Sequence, residues 1–182
     1  MNLKKVAKKA KDHKYVLILM RHAKTEPSSS KGDFERQLTD KGLKQAKRVA
    51  KGLRDMNLVP DQIDCSSATR AQQTCERMLK VFGDDPKVDY HKSLYEESIQ
   101  SIFDVLAGCK EKRHTLLVIS HEPVVSLASQ WLASTESDPS QLDLLNLGMT
   151  TAGIAIFGSD IPFRKWDVHQ ADLIAVLTPK DF

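Results

Sequence analysis

Two short apolar runs along the chain show no alternation of polar and apolar positions. Residues 15–20 and 115–120 are nearly continuous in aliphatic side chains, the pattern of strands that are buried on both faces of a parallel sheet. Four weaker strand candidates lie at 62–66, 88–90, 151–157 and 173–177. The pattern therefore predicts a central sheet whose two innermost strands are covered by helices on both sides.

Apolar residues between these strands recur at helical spacing. Thr39 is a predicted N-cap for a helix over about 40–56, and Gly83 ends a second helix over about 69–82. Further helices are predicted at about 97–108 and 124–132, and polar loops at 23–38 and 134–149. Alternating strands and helices predict an α/β fold, a three-layer α/β/α sandwich with a mostly parallel central sheet.

The lysine-rich N-terminus differs in charge from the rest of the chain. Residues 1–14 hold six lysines and one acid, whereas the remainder carries 21 basic and 23 acidic side chains, a net charge of −2. The body therefore lacks the basic stripe expected of a nucleic-acid-binding protein. The spacing of Leu3, Val6 and Ala10 predicts an amphipathic helix that either caps the fold or contacts an anionic surface. We divide the chain into a basic N-terminal extension, 1–14, and one domain, 15–182.

Composition narrows the setting of the protein. The 182 residues are enough for one core, and no apolar run approaches the ~18 residues of a membrane span. The three cysteines form no CxxC pair, and the six histidines show no HxxxH or HExxH spacing. We expect a cytoplasmic protein with reduced thiols and no metal site. The sequence leaves the oligomeric state open.

Residues with phosphate chemistry follow several predicted strands. Arg21 and His22 follow the first strand, His121 follows the strand at 115–120, and Arg70 begins the helix after the strand at 62–66. Ligands of open α/β sheets bind at the carboxyl ends of the strands. Two guanidiniums can hold a dianionic oxyanion there, while one imidazole attacks phosphorus and the other stabilises charge.

A pair of carboxylates follows the short strand near 88–90. Either Glu96 or Glu97 could protonate a leaving group and later activate water. The whole set of residues needs neither a metal nor another cofactor, because the guanidiniums and imidazoles supply all the positive charge.

Six segments of the chain, in order along it, resemble the histidine phosphatase superfamily, whose fold is phosphoglycerate-mutase-like, and within it the SixA-type phosphohistidine phosphatases. These segments are Leu19–Thr25, Arg36–Gly42, Ser66–Thr74, Leu94–Glu96, Leu117–Pro123 and Leu177–Phe182. Together they span about residues 15–182.

The resemblance implies a role for each candidate residue. His22 is the nucleophile that becomes phosphorylated, Arg21 and Arg70 clamp the phosphoryl oxygens, and His121 is a second imidazole on the phosphate. Glu96 occupies the position of the usual proton donor.

Three positions complicate the comparison. Arg36 matches a recurring arginine that either contacts phosphate or orders the loop above it. Ala23 stands where the superfamily favours Gly, and Ser67 where many relatives carry Pro. These departures leave the four residues of the phosphate site intact.

The sequence thus predicts a metal-independent phosphatase that works through a phosphohistidine on His22 and acts on phosphohistidine in proteins. The alternatives are a phosphatase of a small phosphorylated metabolite and a non-catalytic phosphate-binding scaffold. The expected partner is accordingly a phosphorylated protein or a small phosphorylated substrate. A cysteine phosphatase is disfavoured, because only four residues separate Cys65 from Arg70 where that class has five.

Overall fold

The structure, a computed structural model, describes residues 2–96 and 98–182 and is built on a six-stranded sheet. The strands are β1 (Tyr15–Arg21), β2 (Gln62–Ser66), β3 (Lys87–His91), β4 (Thr115–Ser120), β5 (Ile154–Ser159) and β6 (Asp172–Leu177). Their order across the sheet is β3-β2-β4-β1-β5-β6. Strands β1 to β4 are parallel and β5 runs antiparallel to both of its neighbours, so the prediction of a mostly parallel sheet is confirmed.

Helices cover both faces of this sheet. They are α1 (Leu3–Lys11), α2 (Asp40–Asp55), α3 (Thr69–Phe82), α4 (Ile99–Gly108), α5 (Val124–Leu132) and α6 (Pro139–Asn146). Alternate residues of β1 point to opposite cores, Ile18 toward α1, α2 and α3, and Leu17 toward α4, α5 and α6. The predicted three-layer sandwich is therefore confirmed. In the part of the chain that the structure describes, no helix is long and apolar enough to cross a bilayer.

Two predictions about the C-terminal third are wrong. The supposed loop at 134–149 contains α6, which begins after Asp138, whose side chain accepts a hydrogen bond from the Ser140 N–H. Strand β5 begins at Ile154 rather than at 151, because Thr150 and Gly153 form a turn closed by a 2.8 Å backbone hydrogen bond. Local turn chemistry overrides the apolar pattern at both places.

The N-terminal helix α1 is part of the packed fold. Val6 and Ala10 are buried in the core on the α2 side of the sheet, and Leu3 and Ala7 pack against it. The helix therefore caps that core, as one of the two sequence interpretations expects. The division into an extension and a domain stays a prediction.

The start of α2 is held against the segment that follows β1. Thr39 caps the helix by accepting a hydrogen bond from the Gly42 N–H at 3.1 Å, and its own N–H donates to the Lys24 carbonyl at 2.9 Å. A Cβ atom at Gly42 would lie 2.1 Å from that same carbonyl oxygen. Only glycine permits this approach, which explains why the Arg36–Gly42 segment ends in one.

Candidate active site

Two imidazoles meet where the adjacent parallel strands β1 and β4 end. Arg21 pairs with Ser120 in the register of these strands, so the residues that follow each strand emerge side by side. The ring centroids of His22 and His121 are 5.1 Å apart, and both residues are buried. Together with Arg21 and Arg70 they line a cavity of about 540 Å³.

The hydrogen bonds of His22 define its tautomer. Its Nδ1 lies 2.8 Å from the carbonyl oxygen of Ala23, and a carbonyl only accepts, so Nδ1 carries the hydrogen. Nε2 accepts from Arg70 Nε at 3.3 Å. Burial lowers the pKa of His22 to about 4, and the charges of Arg70 and Arg21 add to that effect. The ring is therefore neutral at pH 7, with the lone pair on Nε2.

A serine at the end of β2 fixes the second imidazole. The Nε2 of His121 lies 2.7 Å from the hydroxyl of Ser66, which also accepts from the Ala68 N–H at 3.3 Å. The other ring nitrogen, Nδ1, is buried and has no hydrogen-bond partner among the described residues. Burial, followed by the neighbouring His22, lowers the pKa of His121 to about 3. This ring is also neutral near pH 7.

The two predicted guanidiniums differ in what holds them. Arg70, on the first turn of α3, is buried, and its Nη1 and Nη2 donate to the carbonyl and the carboxylate of Asp33 at 2.8 and 3.1 Å. Arg21 donates from Nη1 to the Met149 carbonyl at 2.7 Å. Its Nε is buried without a hydrogen-bond partner in the described part of the chain.

Sequence reasoning missed Asp33, which is a central contact of the site. It lies in a short 3₁₀ turn of the loop after β1, and its carboxylate accepts from Arg70, from Arg36 at 2.9 Å and from the Tyr95 hydroxyl at 3.2 Å. Hydrogen bonding from Arg36, with the charge of Arg70, lowers its pKa. The three-residue spacing to Arg36, which matches one 3₁₀ turn, was a usable signal.

Arg36 ties this loop together and also lines the cavity. Its Nε donates to the Glu26 carbonyl at 3.0 Å, and its guanidinium contacts the hydroxyl of Thr25. The contacts with Asp33, Glu26 and Thr25 favour the loop-ordering interpretation of this arginine. The position of Arg36 on the cavity wall keeps contact with phosphate open as well.

A second carboxylate missed by sequence reasoning is Glu122, immediately after His121. Its Oε1 accepts from the Ser126 hydroxyl and from the Met149 N–H, both at 2.6 Å. The carbonyl of the same Met149 holds Arg21. Glu122 therefore orients Arg21 through one residue of backbone, a link between distant segments that sequence spacing does not show.

The predicted proton donor lies apart from the other site residues. Glu96 is exposed, in the turn after β3, and does not belong to the described residues that line the cavity. Its neighbour Tyr95 does reach the site, with its ring edge-on to His121 at 5.7 Å between centroids. The alternative, Glu97, lies outside the described residues. The role of Glu96 stays a prediction.

Cys65 occupies the core and not the cavity. It is fully buried on β2 among residues that pack under α2 and α3, and burial raises its pKa well above that of an ordinary thiol. A nucleophilic cysteine must be accessible as a thiolate, so the cysteine phosphatase interpretation is excluded. No group of three or more His, Cys, Asp or Glu side chains arranged to hold a metal occurs within residues 2–96 and 98–182.

Comparison with known proteins agrees with this geometry. The model of the histidine phosphatase superfamily (branch 1) matches residues 17–104, which include Arg21, His22 and Arg70. Rv1276c of Mycobacterium tuberculosis is 31% identical over 138 residues, 75% of this chain and 85% of that protein. ML1117 of Mycobacterium leprae is 25% identical over 167 residues, 88% of this chain and all of that protein. The chain belongs to the histidine phosphatase superfamily.

Solved structures narrow the likeness further. A protein from Nakamurella multipartitia, designated phosphohistidine phosphatase SixA, is 27% identical with a TM-score of 0.77, over 91% of this chain and 96% of that one. A protein histidine phosphatase SixA complexed with tungstate has the same fold, with a TM-score of 0.75 at 21% identity over 91% and 98% of the two chains. This chain is a phosphatase-class hydrolase of SixA-like fold that acts through histidine.

Proposed function

We propose that this enzyme hydrolyses phosphohistidine in proteins, with His22 as the residue that carries the phosphoryl group. The observation that carries the proposal is the Nε2 of His22, which is held bare by the Nδ1 contact with Ala23 and lies 3.3 Å from Arg70 Nε. A neutral ring with its lone pair beside a guanidinium is a nucleophile placed where a phosphate oxygen would bind.

In the first step Nε2 of His22 forms a bond to phosphorus while the P–N bond of the substrate breaks. The electron pair of that bond goes to the departing imidazole, which takes up a proton. Arg21, Arg70 and the unpartnered Nδ1 of His121 are the groups that hold the phosphoryl oxygens. Charge-assisted hydrogen bonds contribute about 1.5–3 kcal/mol each, so these contacts hold a dianion without a metal.

In the second step water attacks the phosphorus on His22, the new P–N bond breaks, and inorganic phosphate leaves. Glu96 or Glu97 is the proposed proton carrier in both steps. The requirement on that group is modest for a phosphohistidine, because its P–N bond is weak and a protonated imidazole leaves readily. The exposed position of Glu96 is compatible with such a limited demand.

The choice of a protein substrate is supported by two observations. The cavity lies at the surface edge of the sheet, bordered by the loop that carries Asp33 and Arg36, so a phosphohistidine on a folded surface can reach it. A SixA-designated protein is also the relative that shares 27% identity over nearly the whole fold. Three free, buried cysteines further support a reducing compartment, the cytoplasm.

A substrate panel tests the proposal. A chemically phosphorylated histidine protein, free phosphohistidine, 3-phosphoglycerate and p-nitrophenyl phosphate are compared at pH 7 with EDTA present, using His22→Ala as the blank. We expect the phosphohistidine protein to have the highest kcat/KM and EDTA to have no effect. Faster turnover of 3-phosphoglycerate would favour a metabolite phosphatase, and no turnover of any substrate would favour a phosphate-binding scaffold.

A further inference from the structure

A groove of about 550 Å³ continues from the active-site cavity along the surface of α5. One wall is the face of α5 that carries Leu127, and the other is the end of α6 with the segment up to Thr150. A hydrogen bond of 3.0 Å from Gln130 to Asn146 joins the two walls. Arg21 and Glu122 line both the groove and the cavity, so a molecule whose phosphoryl group sits between the histidines extends into this groove.

The groove is bordered by apolar side chains that the fold does not cover. Leu147 is 83% exposed and Leu127 38%, and both line the groove. Trp131, one turn further along α5, is 51% exposed, and Leu144 on α6 is 39% exposed. Of the seven large apolar side chains found exposed in the described residues, these four belong to α5 or to α6 and the residue that caps it.

The charges of the groove are already neutralised from within. The carboxylate of Glu122 accepts three hydrogen bonds, from Ser126 and Met149, and Arg21 is held by the Met149 carbonyl. The other side chains that line the groove are uncharged. An apolar and neutral surface is therefore a better match for this groove than an acidic or basic peptide.

We propose that this groove, with Leu127 and Leu147 at its centre, docks the apolar surface that flanks the phosphohistidine of a protein substrate. The proposal rests on the function proposed above and adds the means by which the substrate is selected. Exposed apolar patches of this kind mark interaction sites, and aromatic residues such as Trp131 are enriched among residues that dominate binding energy. The strip from Leu127 to Trp131 runs about 6 Å along the helix beyond the groove, further than a small leaving group needs.

The test is Leu147→Ser, with Ile161→Ser as the matched control. Leu147 is 83% exposed, so its replacement leaves the core intact, and Ile161, 42% exposed, follows β5 at the opposite edge of the sheet. Each variant is assayed on a small helical protein with one phosphohistidine flanked by Leu or Ile residues, and on free phosphohistidine. The unphosphorylated protein serves as a competitor.

We expect Leu147→Ser to lower kcat/KM for the phosphoprotein about ten-fold, mainly through KM, because burial of one leucine side chain is worth that much. Turnover of free phosphohistidine and every rate of Ile161→Ser should remain within two-fold of the parent, roughly the effect of a surface substitution. The competitor should inhibit the parent more strongly than Leu147→Ser.

Two other outcomes overturn the proposal in different ways. Equal rates of the parent and Leu147→Ser on the phosphoprotein would remove the docking groove and leave the phosphohistidine phosphatase standing. No hydrolysis of either phosphohistidine substrate by the parent would overturn the proposed function and the groove with it. An equal loss on free phosphohistidine would show that the groove acts on the reacting group and not on a docked surface.

Discussion

The two histidines and the acidic segment after β3 represent opposite ways of building a site. His22 and His121 follow adjacent buried strands, are themselves buried, and each has a ring nitrogen tied to a named partner. Glu96 lies in an exposed turn beyond the edge-side strand β3. The imidazoles are therefore preorganised by the core, whereas the carboxylate is not.

This difference bears on which step of the reaction the fold supports. A buried nucleophile with a fixed tautomer loses little entropy when the phosphoryl group arrives. An exposed carboxylate must be positioned by its substrate, and it acts at the leaving group, where a phosphohistidine needs the least help. The fold has concentrated its rigidity on the transfer to histidine.

The largest expected effect separates the two regions directly. We expect His22→Ala to lower kcat for a phosphohistidine protein by roughly 10³-fold or more, because the covalent route is lost. Glu96→Gln should lower it by about ten-fold or less, below the usual range for a general acid. Single-turnover assays with ³²P-labelled protein measure both, and trapped phosphoenzyme should be absent from His22→Ala.

A loss of 10²-fold or more in Glu96→Gln would break the comparison, since it would make Glu96 a fully committed acid despite its exposure. The matched variant Glu97→Gln decides which of the two neighbours carries the proton. If only the second variant loses activity, the prediction for Glu96 is wrong.

The second prediction concerns stability at low pH. His22 has a pKa of about 4 in the folded protein and about 6.5 when unfolded, so between these values the unfolded chain binds the extra proton. Stability therefore falls as the pH falls from 6.5 to 4, by about 3 kcal/mol for this residue, at 1.4 kcal/mol per unit. Urea unfolding of the parent and of His22→Asn across that window measures it.

The variant with the neutral amide should show a shallower pH dependence than the parent, and Glu96→Gln should leave the slope unchanged. Identical slopes for the parent and His22→Asn would contradict a buried, neutral imidazole. The same result would weaken the claim that the histidine region is the preorganised half of the site.

The smallest of these effects tests how Arg21 is positioned. Glu122→Ala removes the acceptor of the Met149 N–H, so we expect KM for a phosphohistidine protein to rise about ten-fold with kcat within three-fold, the size of one hydrogen bond to a charged group. Glu122→Gln keeps one carbonyl oxygen and should recover most of that affinity. Steady-state kinetics of the three proteins, with tungstate inhibition as a second measure of oxyanion binding, check this outcome. Equal KM values in all three would exclude a positioning role.

The parts of the fold that sequence predicted are those fixed by burial. β1 and β4 are apolar on both faces, and the residues that leave their carboxyl ends, His22 and His121, meet because parallel neighbours end at one edge. α6 was missed because its apolar face is narrow, with Gln141 and Leu145 as its buried residues. A polar segment of that composition does not differ from a loop in its periodicity.

The missed site residues share a different cause. Asp33 and Glu122 act through contacts between segments far apart in sequence, such as Asp33 with Arg70 and Glu122 with Met149. Neither residue lies at a position that strand ends or helix faces single out. Partners of this kind follow from packing in three dimensions, which one sequence without structure does not specify.

The bond from the His22 ring to the carbonyl of Ala23 has an evolutionary consequence. Its acceptor belongs to the main chain, so no point mutation can delete that oxygen, whatever side chain stands at position 23. Related enzymes are therefore free to exchange Ala for Gly there, and to remodel the surrounding loops for new substrates, while the reactive nitrogen keeps its orientation. A nucleophile anchored to its own backbone in this way lets specificity diversify without putting the chemical step at risk.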